Sequence, residues 1–227
     1  PERVLERFER ARIDKIGTLQ SLFLVHRPLN PAQIIGKRVM DVVLSATLLA
    51  LLAPVFALVA ALVKFDSKGP VFFAQRRYGF NQQPFRVLKF RSMSTMDDGK
   101  VVRQATKGDA RVTRVGHWLR RLSIDELPQL LNVLRGDMSL VGPRPHALAH
   151  DQAFDRRIAL YARRHNVKPG ITGWAQVCGL RGETDTDDKM RARVEHDLFY
   201  IDNWSFGFDV KILLLTAFSP KTFSNAH

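Results

Sequence analysis

The chain has 227 residues, enough for one sizeable domain or a core with appendages. Its 45% apolar and 25% charged content, with no biased tract or internal repeat, excludes a disordered or repeat architecture. Thirty-five Lys and Arg against 22 Asp and Glu leave a formal charge of +13, which points to a polyanionic partner: nucleic acid, an anionic membrane face or phosphorylated substrates.

The chain opens at Pro1 without an initiator Met and reads as part of a longer protein. Its single cysteine, Cys178, excludes an internal disulfide framework and fits a reducing compartment. Residues 1–25 set Val4, Leu5, Phe8, Ile13 and Ile16 against many charges, which predicts an amphipathic helix within an N-terminal linker unit of residues 1–34. Pro28 and Pro31 end it.

From Val42 to Val63, 22 residues carry no charge, long enough as a helix to reach across a hydrocarbon core of ~30 Å. The run starts too deep for a cleaved signal, and a helix buried in a soluble core is rarely so long and so uniformly apolar. It favours a membrane over nucleic acid, for which no recognised motif is present. Lys37 and Arg38 precede the run, Lys64 follows it, and residues 1–38 hold eight Lys or Arg. Basic flanks prefer the cytoplasmic side, so charge places both ends of a membrane segment at 35–66 on that side. Pro54 supplies a bend by removing a backbone donor, with Ser45 or Thr47 as partners for the carbonyls freed near Ala50 and Leu51. A kinked spanning helix uses the same residues, and from the residues alone the two readings stand level.

Residues 67–227 form the third unit. Val71 to Arg76 and Phe85 to Phe90 read as two strands joined by a turn-rich connection, a hairpin. Residues 92–112 are polar and predict a loop. Helices are predicted over Thr113–Arg121 and Ile124–Leu134, the second stopped by Gly136. Gly142-Pro143-Arg144-Pro145 is a rigid turn, Ala147–Asn166 a basic helix, Pro169–Gly182 a Gly-rich loop and Lys189–Ile201 a helix. Trp204–Phe218 is aromatic and aliphatic, readable equally as an interfacial helix anchored by Trp204, Phe206 and Phe208 or as core packing. The fold class is therefore α+β and helix-dominated, with a small β-hairpin and interfacial amphipathic helices.

The sharpest local feature is Ser123-Ile124-Asp125-Glu126. Its ordinary reading is an S-x-x-E capping box, with Asp125 complementing the helix dipole. The setting adds chemistry. A helix N-terminus binds phosphate, Arg120 and Arg121 stand one turn upstream, and Arg144 is clamped between two prolines in a form suited to bidentate phosphate binding. Paired carboxylates also suit Mg2+. Carboxylate, metal and arginines together are what phosphoryl transfer needs.

At these residues the chain resembles the bacterial sugar transferases, the monotopic polyprenol-phosphate phosphoglycosyl transferases. The resemblance covers roughly Ile35 to Ala217. It rests on GKRVMDVVLS (36–45), GPVFFAQRRYG (69–79), KFRSM (89–93), LRRLSIDELPQLLNVLRGDMSLVGPRP (119–145), KPGITGWAQV (168–177) and YIDNWS (200–205). It implies an apolar helix that re-enters, broken near Pro54, with both ends facing the cytoplasm at a bacterial inner membrane. Small family members carry Ser before the breaking Pro, where this chain has Ala53.

The resemblance further implies that Asp125 attacks the β-phosphorus of a UDP-sugar, releases UMP and holds a phosphosugar that undecaprenyl phosphate then accepts. Glu126 is implied as the partner carboxylate for Mg2+ or a proton, and Arg120 and Arg144 as phosphate-binding. Gln75, Arg76, Lys89 and Arg91 match family strings and are candidates for the lipid-phosphate or nucleotide side, against a reading as surface solvation. Trp174 is a candidate for uracil stacking or interface anchoring, against packing. The sugar implied is glucose or galactose, in exopolysaccharide priming. A membrane-bound, non-catalytic scaffold is the competing reading, and assembly as a homo-oligomer is left open.

Overall fold

The computed structural model describes residues 12–16, 19–23, 29–94, 109–158, 160–182 and 186–219. Helix α1, Pro31–Asp66, starts at a full capping box. The Asn30 side chain accepts the Gln33 N–H, the Gln33 side chain accepts the Asn30 N–H, and Pro31 takes the first helical position. Its 36 residues span about 54 Å at 1.5 Å per residue, and the helix continues through Pro54. Among the described residues it is the one helix long and apolar enough to cross a membrane.

Both ends of α1 hold buried residues, and part of its middle is exposed. At the N-terminal end Lys37, Met40, Asp41 and Ser45 are buried, and at the C-terminal end Val59 and Val63. Leu48, Leu51 and Leu58 between them are exposed. Ser45, expected to help a freed carbonyl, is buried with its hydroxyl unpartnered.

Over residues 12–23 the structure corrects the sequence reading. Strands β1 (Arg12–Ile16) and β2 (Leu19–Phe23) pair antiparallel, closing Ile16 against Leu19, where a helix was expected. The rest of the expected N-terminal helix lies outside the described residues.

Strands β3 (Phe72–Tyr78) and β4 (Pro84–Phe90) form the expected hairpin, with Phe72 opposite Phe90 and Tyr78 opposite Pro84. Helix α2, Arg114–Arg121, is capped by Thr113, whose hydroxyl accepts the Gly116 N–H. The expected helix from Ile124 does not form as one piece. Ile124–Glu126 is a 3-10 turn, and helix α3 is Gln129–Arg135, ending at Gly136 in the left-handed region. Pro128 has no N–H to join the two.

Strand β5, Ser139–Val141, pairs parallel with β6, Gly170–Thr172. Neither was legible, being three residues long and paired with a strand about 30 residues distant in sequence. Their approach needs glycine at 142, since a side chain there would meet the Lys168 carbonyl. The basic helix expected over 147–166 is divided into α4 (Leu148–Asp155) and a 3-10 segment (Tyr161–Asn166), parted at Leu160 with φ of 60°. Helices α5 (Trp174–Val177), α6 (Asp187–Asp202) and α7 (Phe206–Phe218) complete the chain. The described residues form a helix-dominated α+β fold with three two-stranded sheets.

One apolar cluster joins α3 (Leu130, Val133), β5 (Leu140, Val141), α6 (Tyr200, Ile201) and α7 (Ile212). A second joins Val59 and Val63 of α1 to Phe90 and Leu119. Buried Asn132 of α3 pins β4, accepting the Leu88 N–H and donating to the Arg86 carbonyl. That fixes the next residue, Lys89, against the turn that follows α2.

Candidate active site

The path from α2 to α3 is reversed at Ser123, whose backbone is left-handed at φ 57°, a conformation rare outside glycine. The reversal sets Asp125 and Glu126 side by side in the 3-10 turn, both buried. Ser123 does not cap a helix. Its hydroxyl instead accepts a hydrogen bond from Arg181 at 2.9 Å. The capping-box reading therefore fails, and so does the placement of the carboxylates at a helix start, since α3 begins only at Gln129.

The two carboxylates have opposite surroundings. Glu126 is gripped by Arg144 through two hydrogen bonds, of 3.0 Å to Oε2 and 2.5 Å to Oε1. Lys89 adds a third at 2.9 Å, and Arg181 stands 3.8 Å away. Burial alone would raise its pKa, but Arg144, Lys89 and Arg181 more than reverse this and hold Glu126 well below the usual carboxylate range. Asp125 accepts no hydrogen bond among the described residues. Burial lifts it to about 6, with Lys89 opposing and the Glu126 charge adding to the rise.

Of the sequence-derived candidates, the structure brings together Asp125, Glu126, Lys89, Arg144 and Arg120. Arg120 donates only a 3.5 Å bond to the Met93 sulfur and is felt by Asp125 as a neighbouring charge. The others go elsewhere. Arg91 is buried against the end of α1, donating to the carbonyls of Val63, Ser67 and Lys68 at 3.2, 2.6 and 3.0 Å. It ties the carbonyl of the last turn to those of the two residues that follow the helix end. Gln75 is buried and accepts from Arg77, whereas Arg76 is exposed. Trp174 packs edge-on against Phe208 at 5.1 Å, with Phe199 beside it.

Around this cluster lie residues that sequence reasoning passed over. Arg77 donates to the Pro145 carbonyl and Arg164 to the Arg144 carbonyl at 2.7 Å, so the Pro143-Arg144-Pro145 turn is held from both sides. Arg164 is anchored by Asp197 at 2.7 Å, both side chains 3% exposed. His146 lies between two guanidiniums, Nδ1 3.0 Å from Arg164 and Nε2 3.3 Å from Arg193. Burial, then Arg164 and Arg193, push it well below the ordinary histidine range, so the ring is neutral. The available signal was a cation where a helix pattern asks for an apolar residue, as at Arg193 between Met190 and Val194, with Asp197 one turn on.

No group of three or more metal-ligating side chains converges among the described residues. Both Glu126 oxygens already accept from cations, so the pair does not fit Mg2+ as a joint chelate. Asp125, with its oxygens free, fits as one ligand of an ion whose remaining positions go to water and diphosphate, a usual arrangement for Mg2+.

Residues 32–221 match the sequence model of the family described as "Bacterial sugar transferase". The chain is 52% identical over 208 residues to the "UDP-glucose:undecaprenyl-phosphate glucose-1-phosphate transferase" of Escherichia coli (strain K12), covering 92% of this chain and 45% of that protein. It is 56% identical over 191 residues to a protein of the same description from Caulobacter vibrioides, covering 84% of this chain and 72% of that one. It is 45% identical over 187 residues to the "UDP-N-acetylgalactosamine-undecaprenyl-phosphate N-acetylgalactosaminephosphotransferase" of Aeromonas hydrophila, covering 82% and 44%. The chain thus spans about half the length of several of these relatives.

Proposed function

This chain belongs to the bacterial sugar transferase family, and from that premise we propose that it moves a hexose-1-phosphate from a UDP-sugar to undecaprenyl phosphate, with release of UMP. The observation that carries the reading is Asp125, a buried carboxylate with no hydrogen bond, set among Lys89, Arg120, Arg144 and Arg181. Its lone pairs are free and its surroundings attract phosphate.

In the first half-reaction an Asp125 oxygen attacks the β-phosphorus of the donor. The bond from that phosphorus to the bridging oxygen breaks, UMP leaves with the bond electrons, and an aspartyl phosphosugar remains. In the second, an oxygen of the lipid phosphate attacks the same phosphorus, frees the Asp125 carboxylate and yields the lipid-diphosphate-sugar. Arg120 neutralises phosphate oxygens beside the nucleophile. Glu126 stays anionic and serves as the anchor that aims Arg144 and Lys89 at the same space, rather than as a proton carrier. Asp125 would be the residue to hold Mg2+, which would supply further neutralisation of phosphate charge.

The membrane reading rests on α1. Its N-terminal end is tied by Lys37 to Asp209 at 2.5 Å and by Arg38 to the Val133 and Leu134 carbonyls. Its C-terminal end packs through Val59 and Val63 on Phe90 and Leu119. Both ends therefore contact residues 67–219, and Leu48, Leu51 and Leu58 between them are apolar and exposed. This supports a helix that enters and leaves by one face, with the cytoplasmic side favoured by the basic flanks. Phe206, Val210, Leu214 and Phe218 form an exposed stripe on α7, which supports contact with the same anionic membrane surface. Trp204 faces inward, donating to Asp209 at 3.1 Å.

UMP release from UDP-glucose and other UDP-sugars with undecaprenyl phosphate, in nanodiscs, tests the reading. Wild type turns over, Asp125→Asn does not, and donor labelled at the β-phosphorus leaves label on Asp125 when acceptor is withheld. Absence of release with every UDP-sugar favours the scaffold reading, and near-normal turnover by Asp125→Asn removes the nucleophile assignment.

A further inference from the structure

Glu126 absorbs most of the cations near the dyad. Both terminal nitrogens of Arg144 and the Lys89 ammonium point at it. Two guanidiniums keep spare donors. Arg120 makes only the sulfur contact described above. Arg181, its side chain 12% exposed, makes among the described residues one hydrogen bond, to the neutral Ser123 hydroxyl, and stays 3.8 Å from Glu126. A guanidinium carries five donors, and a nearly buried one with one neutral hydrogen-bond partner and one ion pair at 3.8 Å keeps donors unused. Burial and then Arg144 lower its pKa, while Glu126 and Asp125 oppose, so the environment of Arg181 has room for one more anion.

The position of Arg181 is also built. Arg193 donates to the carbonyl of the next residue, Gly182, at 2.7 Å. Arg193 meets His146, His146 meets Arg164, and Arg164 holds the Arg144 carbonyl. One buried chain of side chains therefore sets the spacing of two arginines from segments 37 positions apart in sequence. The neutral ring of His146 separates its two guanidiniums without adding a third positive charge.

We propose that Arg181 is a further phosphate-binding residue, taking the diphosphate of the donor nucleotide together with Arg120 on either side of Asp125, and that Arg193 is a positioning residue that holds it there through the Gly182 carbonyl. The inference rests on the reading of Asp125 as the group that meets the donor phosphorus. On binding, Arg181 exchanges the Ser123 hydroxyl for phosphate oxygens, a charge-assisted contact stronger than the one it replaces.

The test titrates the full chain in nanodiscs with UDP by calorimetry, alongside UMP release from UDP-glucose. Arg181→Ala weakens UDP roughly tenfold or more and Arg181→Lys by less, with thermal unfolding of both near wild type. Arg193→Lys also weakens UDP. The double variant Arg181→Ala/Arg193→Lys binds no more weakly than Arg181→Ala alone, a coupling that a general loss of structure does not produce. UDP binding by Arg181→Ala within threefold of wild type overturns the phosphate assignment, as does wild-type protein that binds no UDP. Additive losses in the double variant overturn the positioning role. Loss of UDP binding in Arg181→Ala, with no UMP release even from wild type, upholds the phosphate site and overturns the transferase reading instead.

Discussion

Asp125 and Glu126 are adjacent in sequence yet carry different electrostatic burdens. Glu126 has three cationic partners; Asp125 has burial and a negative neighbour. The Asp125 pKa rises from the ordinary 3.8 to about 6, so the folded protein binds a proton there more tightly than the unfolded chain does. The associated stability is therefore present below about pH 4 and lost as pH rises through about 6. Asp125→Asn, uncharged throughout, is expected to be more stable than wild type at pH 7, by up to roughly 3 kcal/mol. The gain should shrink to nothing near pH 4, as chemical denaturation at the two pH values measures. Because the nucleophile must be ionised, kcat/KM for the donor should fall on the acid side with an apparent pKa near 6. An acid limb absent down to pH 5 contradicts this. The type of these residues was legible from the string around them; their unequal ionisation was not, because Lys89, Arg144 and Arg181 reach them from three other segments.

At the scale of elements, the end of α1 shows how a conserved-looking cation can be structural. Arg91 lies in one of the strings that carry the family resemblance, and sequence reasoning held a role near lipid phosphate or nucleotide level with surface solvation. The fold turns it instead onto three carbonyls at the helix C-terminus, where a positive charge also complements the helix dipole. Arg91→Met should lower stability by roughly 2–4 kcal/mol, seen as a lower denaturation midpoint, while the KM of the folded protein for UDP-sugar stays at its wild-type value. A raised KM with unchanged stability would return Arg91 to the substrate. Elements with their own signals were read correctly: the hairpin from its strand pattern and turn, and helices where α2 and α6 stand. Those decided by a distant partner were not, such as β5 and β6, or by one local break, such as the proline ahead of α3 and Leu160 after α4.

For the molecule as a whole, the informative feature is that both ends of α1 pack on residues 67–219 while Leu48, Leu51 and Leu58 between them are exposed. Single cysteines at Ile35 and Phe65, both exposed, in a Cys178→Ser background, should react with a membrane-impermeant maleimide in inside-out vesicles and resist it in intact spheroplasts. Labelling of one site from each side would make α1 a spanning helix.

The amino-acid sequence alone determined that the protein has an apolar helix between basic flanks, a carboxylate pair among arginines, and a hairpin followed by helices, because periodicity, charge and length act locally along the chain. Tertiary structure alone decided which cations face the dyad, that Glu126 and not Asp125 is neutralised by them, and that Arg91 caps a helix while Arg181 points into the site. Those outcomes depend on side chains brought together across long stretches of sequence, where burial and pairing of charge settle their roles and no local pattern records them.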